Sequence, residues 1–255
     1  RNRYLNVLPY SHNRVKLKVP EEHSDYINAS NIVVQTTRSG TKKHFIATQG
    51  PKDTSYSHIW RMIWHETGDP AVIVMLTQTH EGGKEKCFQY FPHSMDNPTL
   101  KINEHDEFGD GFVATLTLKS IEESDKLRST VRELDLRDDA SGNSKTVWHI
   151  LFTAWPDFSA PEGNDRAALL RVVALSRARA APEPSPRVVH CSAGVGRSGT
   201  FIALDYLLAE LAEGALDRVP DDEDPVADLV ERLREQRMMM VQAEPQFSFL
   251  YDALR

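Results

Sequence analysis

The sequence predicts one domain of mixed structure, α/β or α+β, and three observations carry that expectation. At 255 residues the chain can bury a sizeable core yet is short for two full domains. Short β-branched and aromatic runs separated by turn clusters fill much of it up to about residue 153, and helical stripes dominate after residue 160. The two most loop-like stretches, "RAAPEPSPR" (179–187) and "LDRVPDDEDP" (216–225), are too short for domain linkers, and no repeat or low-complexity tract occurs.

Residues 1–50 read as turns and short strands, with "SDYINASNIVV" (24–34) the most β-branched part. In "TSYSHIWRMIWHET" (54–67), Ile59, Trp60, Ile63 and Trp64 fall at helical spacing and predict a helix with a buried stripe. "AVIVMLT" (71–77) is apolar throughout and suits a strand covered on both faces. "CFQYF" (87–91), "FVATLTL" (112–118), "STVRELDL" (129–136) and "TVWHILF" (146–152) then read as strands of an antiparallel meander, with turn clusters such as "DASGNS" between them. "RAALLRVVALSRA" (166–178) and "SGTFIALDYLLAEL" (198–211) predict helices. "DPVADLVERLREQ" (224–236) predicts another, with Asp224 as N-cap and Pro225 at the first helical position. "EPQFSFLYDAL" (244–254) predicts the last.

Composition narrows the function classes. A hydrophobic content of 40% with 26% charged residues is that of a soluble globular protein. A net charge of −7 argues against nucleic-acid binding, which calls for a basic face. No apolar run approaches the ~18 residues of a membrane span. The chain opens on Arg1 without a signal-like segment or initiator methionine, as an excised fragment would. Two cysteines do not make a disulfide framework and point to a reducing compartment, cytoplasmic or nuclear. The scattered histidines form no zinc-ligand spacing, so no metal site is expected.

The chemistry concentrates in "RVVHCSAGVGRSGTF" (187–201), where an apolar strand runs through a glycine-rich turn into a helix. Gly194, Gly196 and Gly199 match G-x-G-x-x-G, a dinucleotide-binding pattern that is weak alone. That fingerprint also wants an acidic residue ending a second strand about 20 residues on. The region near Asp217 reads instead as helix followed by an acidic loop. The other reading uses every residue. Successive backbone N–H groups and a helix N-terminus form an anion nest, and a thiol at its floor becomes a thiolate nucleophile. Cys191 and Arg197 then make a C-x5-R site, in which the arginine fork holds phosphate oxygens while sulfur attacks phosphorus.

The stretch from His190 to Gly199 resembles the signature loop of the phosphotyrosine-specific, cysteine-dependent protein tyrosine phosphatases. "NRYLNVLPYSHNRVKL" (2–17), "DYINAS" (25–30), "FIATQGP" (45–51), "KCFQYF" (86–91), "TAWPDF" (153–158) and "VQAEPQFSFLY" (241–251) resemble further hallmarks in the family's order, so the likeness spans residues 1–255. It implies a single domain with a highly twisted mixed β-sheet flanked by helices. It also implies a cofactor-free hydrolase acting on phosphotyrosine-containing proteins.

The resemblance assigns roles residue by residue. Cys191 is the nucleophile, Arg197 binds phosphate, and Asp157 is the general acid and then base on a mobile loop with Trp155. Ser198 hydrogen-bonds the leaving thiolate, and Gln242, with Gln246, orients the hydrolytic water. Ser192, Ala193, Gly194, Val195 and Gly196 supply the phosphate cradle, with His190 in support. Glu81 holds Arg197, and Lys86 positions the closed acid loop. Tyr4, Val7 and Phe158 enclose the substrate ring, and Asn6 binds the peptide backbone. Cys87 is expected to pack rather than react. The Met238–Met240 run reads as core filler, with Met239 on the slot's rim. A dual-specificity or lipid phosphatase shares C-x5-R but lacks the matching Tyr4 and glutamine loops. A binding-only pseudophosphatase would lack the nucleophile, arginine or acid, all of which are present.

Overall fold

A computed structural model describes residues 1–255. In chain order its elements are β1 (Arg14–Lys16), β2 (Tyr26–Gln35), β3 (Lys42–Thr48), α1 (Tyr56–Glu66), β4 (Ala71–Met75), β5 (His80–Glu81) and β6 (Lys84–Glu85). There follow β7 (Thr99–Ile102), β8 (Ala114–Ser124), β9 (Ser129–Asp138), β10 (Ser144–Phe152), α2 (Gly163–Arg179), β11 (Arg187–His190), α3 (Gly196–Ala212), α4 (Pro225–Gln236) and α5 (Glu244–Asp252). Nine strands form one mixed sheet in the order β1-β2-β3-β11-β4-β10-β9-β8-β7, and β5 and β6 pair separately.

The parallel pairings are confined to β3–β11, β11–β4 and β4–β10 at the sheet's centre. Those central strands are sandwiched, and their side chains divide by alternation. Val72 and Val74 of β4 join one core with Phe45, Ala47 and Val189, and this core packs against α2 to α5. Ala71, Ile73 and Met75 face the other way with Ile46 and Val188, toward Ile59, Trp60 and Ile63 of α1. The stripe predicted for α1 is buried at those three positions, and Trp64 is half-buried at its edge. β8 to β10 form the expected antiparallel meander, extended at its edge by β7, which was not expected, and β8 has a bulge between Leu118 and Ser120. The α4 cap also forms as expected, since Asp224 Oδ1 accepts from Val226 N at 3.1 Å and Ala227 N at 3.0 Å.

One expected strand does not form. Residues 87–91 are irregular, although "CFQYF" has strand composition. Their partners are tertiary: the Trp60 indole donates to Tyr90 O at 2.8 Å, and the Tyr90 hydroxyl lies between two buried histidines. Side-chain burial there overrides β-propensity.

Candidate active site

β11 ends at His190 in the middle of the sheet, and the chain turns at once into a loop that becomes α3. Gly194 makes that turn possible. Its φ is 76°, and a Cβ there would lie 2.2 Å from Thr48 O. The loop therefore closes against β3 and points its N–H groups inward, where Gly194 N meets Cys191 Sγ at 3.3 Å. The unpaired N–H groups of the first turn of α3 open onto the same cradle.

Cys191 is buried at the floor of this cradle. Burial alone would raise its thiol. The Arg197 charge, the Ser198 hydroxyl and the N–H groups of Ser198 and Gly194 outweigh burial and hold the thiol below the ordinary cysteine value. The buried Ser198 hydroxyl has no oxygen or nitrogen partner and is free to serve the sulfur. Cys87, the other cysteine, is pushed far up by burial and stays a thiol.

Arg197 is buried yet only half satisfied. Its Nη1 donates to Glu81 Oε1 at 2.7 Å and to Trp155 O at 2.9 Å. Nε and Nη2 have no hydrogen-bond partner. A buried guanidinium with one free edge is built for a ligand with two oxygens. Asp157 Oδ1 stands 3.4 Å from Nη2, and Asp157 Oδ2 accepts from Lys86 Nζ at 2.9 Å. The loop carrying Asp157 is thus seated over the cradle, and Trp155 is buried beneath it with its indole donating to Ser159 O at 2.7 Å.

His190 braces the loop from behind. Its Nδ1 lies 3.0 Å from Cys191 O and its Nε2 lies 2.6 Å from the Tyr90 hydroxyl. A carbonyl can only accept, so Nδ1 carries the proton and Tyr90 donates to Nε2. Burial lowers the imidazole to about 4, keeping it neutral in this role.

Ser192 Oγ donates to Lys86 O at 2.9 Å and so accepts from the Tyr4 hydroxyl at 2.8 Å, tying the residue 2–17 loop to the cradle. Val7 is buried, with its carbonyl accepting from Asn28 Nδ2 at 2.7 Å. Asn6 is exposed and its side chain makes no hydrogen bond. Phe158, in the left-handed region at φ 56°, is 57% exposed and lines an open cleft with Glu81, Lys86 and Asp157.

The two glutamines have different partners. Gln246 is buried and caps α5 by accepting from Ala243 N at 3.0 Å. Gln242 is half-buried, and its Oε1 lies 3.4 Å from where a Cβ on Gly196 would sit. Residues 190–198, with Glu81, Lys86, Trp155 and Asp157, are thus brought together, whereas Asn6 and Phe158 stand at the rim.

Arg237, outside the set singled out from sequence, is also part of this assembly and reaches the loop from behind. Its signal was present: Val226, Leu229, Val230 and Leu233 form the buried stripe of α4, and position 237 continues it with a charge.

Residues 1–255 match the protein-tyrosine phosphatase family. The chain is 37% identical to Tyrosine-protein phosphatase 2 of Schizosaccharomyces pombe, across 100% of itself and 33% of that protein. It is 39% identical to the human Phosphatidylinositol phosphatase PTPRQ, across 100% of itself and 10% of that protein. It thus spans a minor part of each. A solved structure described as the basis of the PTPN18 fingerprint on distinct HER2 tyrosine phosphorylation sites superposes with a TM-score of 0.81 at 30% identity, covering 100% of this chain and 81% of that one.

Proposed function

Given that the chain belongs to the protein-tyrosine phosphatase family, we propose that it hydrolyses phosphotyrosine in proteins through a cysteinyl-phosphate. The Nε–Nη2 edge of Arg197, buried beside the Cys191 thiolate and making no hydrogen bond, carries this reading, because its planar fork matches two phosphoryl oxygens.

Incoming phosphate oxygens take the Arg197 edge and the inward N–H groups of the cradle. Cys191 Sγ attacks phosphorus as the bond to the tyrosyl oxygen breaks, and Asp157 gives that oxygen its proton. The transition state is loose, so positioning and charge stabilisation do most of the work. Water, oriented by Gln242, then attacks phosphorus and gives a proton to Asp157. The sulfur leaves as a thiolate, stabilised by the Ser198 hydroxyl. Lys86 and the Trp155 carbonyl hold the acid loop in register with Arg197 throughout.

Selectivity rests on depth. The thiolate lies at the floor of the cradle, and the Tyr4 loop, tied to Ser192, stands over it. A phosphate on a long aromatic side chain spans that depth, and one on a short serine does not. Similarity to a protein named a phosphatidylinositol phosphatase makes a phosphoinositide the competing substrate. A depressed thiol as nucleophile supports a reducing compartment.

The test compares kcat/KM on matched phosphotyrosine and phosphoserine peptides and on phosphoinositide vesicles, for wild type and Cys191→Ser. Phosphotyrosine should dominate, with no turnover by the variant. Equal or better rates on phosphoserine or phosphoinositide would overturn the substrate assignment, and residual turnover by Cys191→Ser would overturn the nucleophile.

A further inference from the structure

Arg237 is a wholly buried arginine whose acceptors are all neutral. Its Nε donates to Gly194 O at 2.8 Å and Nη2 to Ala193 O at 3.1 Å. Nη2 also donates to Asn28 Oδ1 at 2.8 Å, and Nη1 to Ser30 Oγ at 3.0 Å. Among the other buried arginines, Arg61 has Asp110, Arg197 has Glu81 and Arg187 has Asp205, while Arg132 has no carboxylate but lies over the Phe91 ring at 4.7 Å. Arg237 has no carboxylate within ion-pair distance. An unpaired buried charge is costly, so its retention calls for a counter-charge elsewhere.

The geometry shows where that counter-charge is. Ala193 O and Gly194 N belong to one trans peptide group, whose C=O and N–H point opposite ways. Arg237 holds the oxygen, and the N–H of the same group points at Cys191 Sγ. The next peptide repeats the pattern, with Gly194 O on Arg237 Nε and Val195 N–H directed away from it. One guanidinium therefore clamps two successive carbonyls outward and turns their N–H groups to the opposite side, where Gly194 N meets the sulfur.

We infer that Arg237 is a positioning residue that acts as a second, hidden cation of the active site, transmitting its charge to the thiolate and the phosphoryl group through the Ala193–Gly194 and Gly194–Val195 peptides. In the free protein the Cys191 thiolate is its counter-ion, and in the complex the bound phosphate joins it. Burial lowers the guanidinium to about 10, so it stays charged at neutral pH, and the Cys191 charge supports that state. The other groups around the sulfur are Arg197 and Ser198 from α3, neutral His190 from β11, and the Cys87 thiol after β6. Asp157, Glu81 and Lys86 lie beyond Arg197. Tyr26 faces Arg237 from β2.

The inference rests on Cys191 being the reactive thiol, and its test does not require turnover. The pH dependence of inactivation by iodoacetamide reads the thiol directly, and protection by inorganic phosphate reads the cradle. In Arg237→Met the inactivation midpoint should move to higher pH and phosphate affinity should fall about tenfold, the scale of a charge-assisted contact. Arg237→Lys should restore the midpoint in large part, because it restores the charge. Thermal unfolding checks that each variant is folded. Should Arg237→Met fail to fold, Asn28→Asp places a carboxylate on the same guanidinium with little change of shape and should raise the midpoint in the same sense. A folded Arg237→Met or Asn28→Asp with wild-type midpoint and wild-type phosphate protection would overturn the inference. Cys191 that proved unreactive in wild type would instead count against the nucleophile assignment.

Discussion

Arg197 Nη1 and Glu81 Oε1 are joined at 2.7 Å, and this ion pair decides which edge of the guanidinium faces the cradle. Glu81 is itself fixed by Thr77 Oγ1 at 3.1 Å and Gln78 N at 3.3 Å, where β4 gives way to the β5–β6 hairpin. Glu81→Ala should therefore free Arg197 to rotate. A charge-assisted hydrogen bond contributes about 1.5–3 kcal/mol, so kcat/KM for a small aryl phosphate should fall roughly tenfold to a hundredfold. Steady-state kinetics on p-nitrophenyl phosphate check this, and an unchanged kcat/KM would remove Glu81 from the positioning machinery.

Asp157 is held between Lys86 at 2.9 Å and Arg197 at 3.4 Å. Asp157→Ala should lower kcat by about a hundredfold or more and abolish the alkaline limb of the pH–rate profile. Lys86→Met should lower kcat less and keep that limb, since the acid remains while its tether is lost. If Lys86→Met were the more damaging change, Lys86 would have a direct chemical role rather than the tethering one assigned here.

Stability should fall on mild acidification. His190 is lowered from 6.5 to about 4, and His149 is lowered well below 6.5, both by burial first of all. Unfolded chains take up these protons near 6.5 and the folded protein does not, so the unfolded state gains as pH drops from 6.5 toward 4. The contribution is whole above 6.5 and lost below 4, about 3 kcal/mol for His190 alone. Melting temperatures measured across that window should decline steeply, and His190→Asn should flatten the decline. An equal slope in the variant would show that His190 does not carry it.

Met239 and Val241 adopt left-handed backbone at φ 62° and 57°, in the turn that delivers Gln242 to the site. Arg234 clamps the carbonyls of Met240 and Val241 at 2.9 Å each, and a Cβ on Gly199 would lie 2.6 Å from Val241 N. A side chain in that region costs about 1–2 kcal/mol, more than the entropy that glycine adds to the unfolded chain. Met239→Gly should accordingly be neutral or slightly stabilising, as urea unfolding can show. Met239 is half-buried rather than part of the core, so the change should raise kcat/KM for bulky aromatic phosphates a few-fold relative to small ones. A loss of stability above 1 kcal/mol would make Met239 a packing residue.

The anion loop was legible in the sequence because its parts are contiguous. Cys191, Gly194, Gly196 and Arg197 lie on one strand–turn–helix, where short-range sterics and backbone N–H geometry dictate the shape. The α4 cap and the meander of β8 to β10 were equally local, set by Asp224 and Pro225 in one case and by alternation and turns in the other. Side-chain pairings across the chain were not legible in this way. Residues 87–91 have strand composition, yet the place of Tyr90 between His149 and His190 decides their path. Local pattern leaves open which acid reaches Arg197, or that Arg237 grips the loop's carbonyls from 43 residues away. Those relationships depend on β11 sitting between β3 and β4 and on α4 packing behind α3. The sequence by itself determined the strand–turn–helix cradle and the place of Cys191 at its floor, since backbone geometry acts over a few residues. Only the tertiary structure decided which charges surround them, because the chain brings those together solely by folding.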